Sequence, residues 1–232
     1  MILVHHLSHG RSQRILWLLE ELGIPYEVVK YERMPDFTAP PSLLEVHALG
    51  KSPIIEDKEE CVVLGESAAI ITYLLQKYGT KKTTVEGALD DLYYTHYAES
   101  FISLLALDNR LSRLTNSAPW YLRPVFDYVF SFYRDMYINP ELPKNCKMID
   151  EQISKNAWFA RGSDSPTAAD YAMIVGLEGL VASKVATVET YPAIVKYVEK
   201  VHARPAYQLG LRRGGLPFAY AKQVDVIESD PK

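Results

Sequence analysis

The first 31 residues are MILVHHLSHGRSQRILWLLEELGIPYEVVKY, and this stretch decides the fold. The apolar run MILVHHL predicts a strand, and RSQRILWLLEELG predicts a helix that is apolar on most of its sides and therefore buried. Gly23 is a suitable residue to end that helix, and YEVVKY predicts a second strand. A strand, a helix and a strand at this spacing predict two parallel strands joined by a crossover helix.

The chain up to residue 79 completes one α/β layer. Residues 36–49 predict a proline-marked loop and a short helix. IIE and CVVL, joined by the charged turn DKEE, predict an antiparallel hairpin. ESAAIITYLLQKYG predicts a helix that again ends at a glycine. We therefore expect the order β-α-β-α-β-β-α in a first domain over residues 1–79.

The pattern changes after residue 79. TKKTTVEGA is polar and predicts a linker over residues 80–88. From Leu89 onward the alternation typical of strands is almost absent, so a second, all-helical domain is expected over residues 89–232. Its helices are expected at roughly 89–116, 120–138, 142–160, 167–183 and 191–203, with a short one near 205–213, ahead of a loosely packed tail.

Composition excludes several classes of protein. The net charge of −4 and the pI of about 5.9 give no general attraction to nucleic acid. No apolar run reaches transmembrane length, and no signal peptide is predicted. The two cysteines are too few for a disulfide framework or a cysteine metal site, and Cys61, in the run CVVL, is expected in a buried strand. We expect a soluble cytoplasmic protein with neither membrane insertion nor a metal.

The loop LSHGRSQR, which joins the first strand to the first helix, is the first of three candidate ligand-binding features. It places Ser8, His9, Ser12 and several backbone N–H groups at a helix N-terminus. That end of a helix is electropositive and stabilises a thiolate or a carboxylate. The alternative is that Ser8 or Ser12 only caps the helix.

The second feature is LGKSPII at residues 49–55, where a proline stands directly before a strand. If the Ser52–Pro53 bond is cis, the main chain of Ser52 can pair with an extended peptide, and Lys51 can reach a carboxylate at that peptide's end. The alternative is a plain strand entry with an exposed lysine.

The third feature is GES at residues 65–67, directly before the apolar helix AAIITYLL. Ser67 and its N–H can bind a carboxylate at the helix N-terminus, and Glu66 can meet an ammonium group. The alternative is that Ser67 is an ordinary N-cap.

Together, HHLSHGRSQRILWLLEELGIPYE, HALGKSPII and GESAAIITYLLQKYG resemble the cytosolic glutathione transferases. The likeness is greatest to the bacterial and fungal subgroup that opens with a similar RSQRxLWLLEELG. It implies a thioredoxin-like N-terminal domain, an all-helical glutathione-transferase C-terminal domain and a homodimer. DSPTAADYAM adds to the resemblance, because Thr167 and Asp170 match the family's capping box, a structural pair that satisfies free N–H groups at a helix start.

The resemblance implies a role for each candidate residue. The Ser52 backbone, beside Pro53 and Ile54, pairs with the cysteinyl unit of glutathione. The glycyl carboxylate faces Lys51, and Glu66 and Ser67 take the γ-glutamyl end. The loop over residues 8–12, which includes Arg11, holds the sulfur, and we refer to it as the sulfur loop.

The sulfur loop departs from the subgroup, which usually has an asparagine at the position of Ser8 and a serine where Gly10 stands. We therefore expect one of three residues to contact the sulfur: Ser8 is the first candidate, Ser12 is the second, and His9 is the third. Tyr26 lies too far along the chain for a tyrosine-type site, and the loop has no cysteine, which argues against a thiol-reductase type. No metal or redox cofactor is required.

The second substrate is expected against the first long helix of the helical domain. Tyr94, Tyr97, Phe101 and Leu105 recur there at helical spacing and line either a substrate pocket or the core. Apolar surface on this helix and on ESAAIITYLLQKY favours a two-fold dimer.

Three functions remain open at this stage. The first is the addition of glutathione to an apolar electrophile. The second is reversible thiol addition that isomerises a double bond, with glutathione as catalyst. The third is a glutathione-binding carrier with little catalysis. Either reaction would serve detoxification or the secondary metabolism of a specialised compound.

Overall fold

A computed structural model of the chain describes residues 1–36, 38–79 and 84–215. The first part is a four-stranded mixed sheet with three helices, in the predicted order β-α-β-α-β-β-α. Its elements are β1 (Ile2–Leu7), α1 (Gln13–Leu22), β2 (Tyr26–Tyr31), α2 (Leu43–Val46), β3 (Ile54–Asp57), β4 (Val62–Gly65) and α3 (Ser67–Tyr78). The strand order is β2-β1-β3-β4, with β1 parallel to β2 and the other two pairs antiparallel.

The described residues from 84 onward are helical and contain no strand. The helices are α4 (Val85–Ser117), α5 (Arg123–Tyr133, continuing as a π-helical turn over Arg134–Ile138), α6 (Glu141–Lys155), α7 (Ala168–Ala182), α8 (Pro192–His202) and α9 (Pro205–Gly214). Helix α4 begins inside the stretch expected as a linker, because the Thr84 hydroxyl caps it by accepting the N–H of Gly87 at 3.0 Å. The expected tail after residue 221 lies outside the described residues.

Helix α1 is buried on several sides, as its composition predicted. It shares an apolar core with Ile2 and Val4 of β1, and α7, α9 and α3 contact it as well. Trp17 shows how tightly this centre is filled: its ring lies 4.5 Å from that of Tyr171 and 5.9 Å from that of Tyr207, measured between centroids. The N-terminal end of α1, where the sulfur loop enters, is therefore held by both parts of the chain.

The predicted capping box is confirmed at the start of α7. The buried Asp170 carboxylate accepts the N–H of Thr167 at 2.7 Å and its hydroxyl at 2.9 Å.

The prediction for Cys61 is wrong: this residue is exposed in the turn before β4 and has a φ of 55°. The hairpin turn has the expected four residues but lies one residue later than DKEE, because Asp57 ends β3 and Val62 begins β4.

Candidate functional site

The three candidate features meet at one edge of the sheet. Ile54, the first residue of β3, pairs with His5 on one side and with Gly65, the last residue of β4, on the other. Pro53 and Glu66 therefore lie next to each other just beyond the sheet. The sulfur loop is tied to the same edge, because the N–H of Leu7 donates to the Ser52 hydroxyl at 3.1 Å.

The Ser52–Pro53 bond is cis, which is the condition set for peptide pairing. The Ser52 hydroxyl donates to the carbonyl of His5 at 2.8 Å, so the side chain is turned toward β1. No backbone hydrogen bond among the described residues uses the main chain of Ser52, which leaves it available to an added strand. Lys51 is exposed, whereas Pro53 and Ile54 are buried.

Glu66 has an unusual backbone, with φ at 67° and ψ at 118°. A non-glycine residue at positive φ is uncommon and often marks a ligand site. Its side chain is exposed, and Ser67 follows as the buried first residue of α3. Ser67 is therefore not the N-cap of α3, since Glu66 occupies that position.

Two residues of β2 and the loop after it hold the sulfur loop. The carbonyl of Tyr31 accepts both the N–H of Ser8 at 2.9 Å and its hydroxyl at 3.2 Å. Arg33 donates to the carbonyls of Ser8 at 3.0 Å and His9 at 3.4 Å. His9 has a φ of 54°, so the chain turns sharply there. Sequence patterns did not indicate Tyr31 or Arg33.

Ser12 lies beneath the site and does not face it. Its side chain is fully buried, with the hydroxyl 2.8 Å from Nδ1 of His6. Burial lowers the pKa of His6 to about 4, so this imidazole is neutral at neutral pH. The Ser12 hydroxyl also does not cap α1. The expectation that Ser12 contacts the sulfur is not supported by this position, because His6 draws the hydroxyl toward the sheet.

Gly10 is required by the conformation of the loop. A Cβ atom at this position would lie 2.6 Å from the carbonyl oxygen of Leu7, which is too close for any side chain. The serine that the subgroup usually has there is therefore excluded unless the loop moves.

Glu99 of α4 joins the helical part to the start of α1. Its carboxylate accepts Arg11 Nη1 at 2.8 Å and Arg14 Nη2 at 2.5 Å. Arg14 is fully buried and also donates to the carbonyl of Ala172 at 2.8 Å. Two guanidinium groups thus share one carboxylate beside the sulfur loop. The residues lie 85 or more positions apart, so no local pattern indicated this contact.

The expected substrate-pocket residues lie on the side of α4 away from Glu99. Phe101 is 1 % exposed and packs against Gly176 of α7, so the core alternative holds for this residue. The half-buried Tyr97 ring stacks between those of Tyr93 and Phe101, and its hydroxyl binds Asn145 of α6. Leu105 is half-buried, and its side chain lies near Gly179 of α7.

The sequence matches two family models. Residues 1–76 match the glutathione S-transferase N-terminal domain, and residues 131–208 match a glutathione S-transferase C-terminal domain. No helix among the described residues is both long enough and apolar enough to cross a membrane.

Two fungal proteins are similar over most of their length. "Glutathione S-transferase 3" of Schizosaccharomyces pombe is 31% identical over 218 residues, which span 92% of this chain and 88% of the relative. "Glutathione S-transferase 1" of Saccharomyces cerevisiae is 32% identical over 218 residues, which span 89% of this chain and 92% of the relative.

Solved structures show the same fold. A glutathione S-transferase from Actinobacillus pleuropneumoniae has a TM-score of 0.71 at 26% identity and covers 94% of each chain. A glutathione transferase homologue from Lodderomyces elongisporus, with two glutathione molecules per subunit, has a TM-score of 0.69 at 18% identity, covering 91% of this chain and 97% of that one. By its two domain matches and its similarity to these relatives over nearly the whole length, the chain belongs to the glutathione S-transferase family.

Proposed function

We propose that this protein binds glutathione at the edge of the sheet, ionises its thiol and adds the thiolate to an apolar electrophile. The observation that carries this proposal is that the sulfur loop, the Ser52–Pro53 bond and the Glu66–Ser67 pair meet at that edge. Three separate stretches of sequence thereby adjoin one another in a chain of the glutathione S-transferase family.

The site offers a group for each part of glutathione. The free main chain of Ser52 pairs with the cysteinyl unit, and the exposed Lys51 faces the glycyl carboxylate. Glu66 takes the ammonium of the γ-glutamyl unit, and Ser67, at the N-terminus of α3, takes its carboxylate. Pro53 and Ile54 give the site a fixed, buried floor.

Ser8 is our first candidate for the contact to sulfur, with His9 as the alternative. A cysteine thiol has an ordinary pKa of about 8.5, and lowering it by about two units requires roughly 2.7 kcal/mol. The hydroxyl of Ser8 has one hydrogen, which it donates to the carbonyl of Tyr31 in this structure. Rotation about the Cα–Cβ bond lets the hydroxyl donate this hydrogen bond to a bound thiolate instead, and the N-terminus of α1 adds to the stabilisation.

The electrophile is proposed to bind against the face of α4 that carries Glu99, since that face meets the sulfur loop. Ser103 and Ala106 follow Glu99 on the same side at helical spacing. The opposite side of the helix, with Phe101, belongs to the core. We therefore place the second substrate between the sulfur loop and these small residues.

Calorimetry and product analysis test this function. We expect glutathione to bind, its thiolate absorbance to appear near neutral pH, and electrophiles to be recovered as glutathione adducts. Recovery of an isomerised substrate with glutathione unconsumed would favour the isomerase. Glutathione binding without an ionised thiol would favour a carrier. Absence of glutathione binding would overturn the proposal.

The protein is also proposed to be a cytoplasmic homodimer, and its exposed apolar surface supports the dimer. Helix α5 has no buried residue, and large apolar side chains are exposed along it and along the first half of α4. Helix α3, expected to share the interface, instead buries Ile70, Ile71 and Leu74 in the core. The surface available to a second copy is therefore on α4 and α5.

A further inference from the structure

Three polar residues form a connected unit on one face of the sheet. His5 and His6 are consecutive on β1, and alternation sends them to opposite faces. His6 faces α1 and Ser12, whereas His5, 4 % exposed, lies on the other face between Tyr31 of β2 and Glu56 of β3. We refer to Tyr31, His5 and Glu56 as the triad.

The geometry of the triad fixes the direction of its hydrogen bonds. Nε2 of His5 lies 2.7 Å from Oε1 of Glu56, and Nδ1 lies 2.9 Å from the Tyr31 hydroxyl. A carboxylate only accepts, so Nε2 carries the hydrogen, and we assign Nδ1 as the acceptor of the phenol hydrogen. Burial raises the pKa of Tyr31, and the carboxylates of Glu56 and of Glu45 on α2 raise it further by a smaller amount. The phenol therefore keeps its hydrogen.

The main chain of the same residues holds both halves of the candidate site. The carbonyl of Tyr31 accepts the N–H and the hydroxyl of Ser8, and the carbonyl of His5 accepts the hydroxyl of Ser52. Tyr31 and His5 are therefore each one hydrogen bond away from a residue, Ser8 or Ser52, that is proposed to contact glutathione.

We propose that Tyr31 and His5 are positioning residues of the glutathione site, which hold Ser8 toward the sulfur, and that Glu56 assists them only by fixing the hydrogen on Nε2 of His5. This inference rests on the proposed function. None of the three side chains contacts glutathione in this proposal. Tyr31 acts through its carbonyl group, which its side-chain bond to His5 holds in place by joining β2 to β1.

The position of Tyr31 matters for the sulfur in particular. Its carbonyl competes with the thiolate for the single hydrogen of the Ser8 hydroxyl, and it also anchors the loop through the Ser8 N–H. If the Tyr31 ring loses its partner, the anchor moves and Ser8 no longer faces a fixed sulfur. The thiol pKa and the KM for glutathione should then both rise.

Two substitutions of His5 separate the arms of the triad in the full-length protein. His5→Asn keeps an amide group at the position of Nδ1, which accepts from Tyr31 and leaves Glu56 without a donor. His5→Gln keeps a donor at the position of Nε2 for Glu56 and leaves Tyr31 without an acceptor. Because each variant loses one hydrogen bond, a purely structural role predicts similar falls in Tm.

We expect the KM for glutathione to rise about fivefold in His5→Gln, the effect of one average hydrogen bond. His5→Asn should stay close to the wild type, and the apparent pKa of the bound thiol should follow the same order. Tyr31→Phe removes only the phenol oxygen and should match His5→Gln, which keeps the test valid if a His5 variant does not fold.

Equal KM values and thiol pKa values in the wild type, His5→Gln and Tyr31→Phe would overturn the inference. Equal losses in His5→Asn and His5→Gln would also overturn it, because the arm to Tyr31 would then have no special role. Failure of the wild type to bind glutathione in calorimetry is a different result, which would overturn the proposed function and this inference with it.

Discussion

At the scale of single residues, Ser8 and Ser12 show how one loop directs two hydroxyls to different hydrogen-bond partners. Ser8 is half-buried at the loop, with its hydroxyl on the carbonyl of Tyr31, whereas Ser12 is buried against His6. Sequence alone left both open, because each stands at the entry to the same helix. Their separation depends on the direction of each side chain, which β1 and its neighbours set.

Ser8→Ala should raise the pKa of the bound thiol by about one unit. A hydrogen bond to a charged group is worth about 1.5–3 kcal/mol, and a water molecule in place of the hydroxyl would restore the smaller part of this energy. Turnover at neutral pH should fall, and the loss should shrink at higher pH, where glutathione ionises without help. Titration of the thiolate absorbance and the pH profile of kcat/KM measure both effects.

Ser12→Ala is the matched control for this prediction. It should lower the Tm, because Nδ1 of His6 loses its buried partner, and leave the thiol pKa unchanged. Loss of the thiolate absorbance in Ser12→Ala but not in Ser8→Ala would invert the assignment. If neither variant matters, the helix N-terminus or His9 ionises the thiol.

At the scale of elements, the strand and helix order and the capping box were predictable because their signals are local. Apolar periodicity, Gly23 and the spacing of Thr167 and Asp170 are all visible within a few residues. The contacts of Tyr31, Arg33 and Glu99 were not predictable, since they join segments that only the folded chain brings together. Phe101 stayed open between a substrate pocket and the core for a related reason: helical spacing defines a stripe but not the element it faces.

Asp170→Ala should destabilise the start of α7 strongly. The buried carboxylate accepts hydrogen bonds from Thr167, from the N–H of Phe159 at 3.0 Å and from the Tyr197 hydroxyl. Its removal leaves several buried donors without a partner, and we expect a loss of about 3 kcal/mol in the free energy of unfolding by urea. The exposed Asp164 provides the control, and equal losses in Asp164→Ala and Asp170→Ala would contradict this role.

Glu99→Gln should weaken the junction between α1 and α4. The buried Arg14 would lose its charged partner, at a cost of about 2–4 kcal/mol. Arg11 would lose its orientation within the sulfur loop, so the KM for glutathione should also rise. Glu151→Gln, which affects only the exposed pair with Lys147 at 3.9 Å, should change neither quantity.

A double substitution separates the two consequences of Glu99→Gln. In an Arg11→Ala background, Glu99→Gln should still lower the stability through Arg14, but it should cause no further rise in the KM for glutathione. A further rise of the same size in that background would show that Glu99 acts on the site by a route other than Arg11.

At the scale of the whole molecule, the exposed apolar faces of α4 and α5 favour the proposed dimer. Val85, Leu89 and Leu92 follow one side of α4, and Tyr128 and Phe132 follow one side of α5, all more than half exposed. Large side chains repeated at helical spacing on a surface are typical of an interface. Because both faces belong to the same chain, a two-fold arrangement buries each of them twice.

We therefore expect a dimer at micromolar concentration in sedimentation velocity, and expect Leu92→Glu or Tyr128→Glu to dissociate it. Each substitution buries a carboxylate in an apolar contact, which costs several kcal/mol unless the interface opens. Val188→Glu changes another residue that is more than half exposed, outside these helices, and should leave the dimer intact. A monomeric wild type across the micromolar range would refute the dimer, while dissociation by all three variants would show that the contact is not confined to α4 and α5.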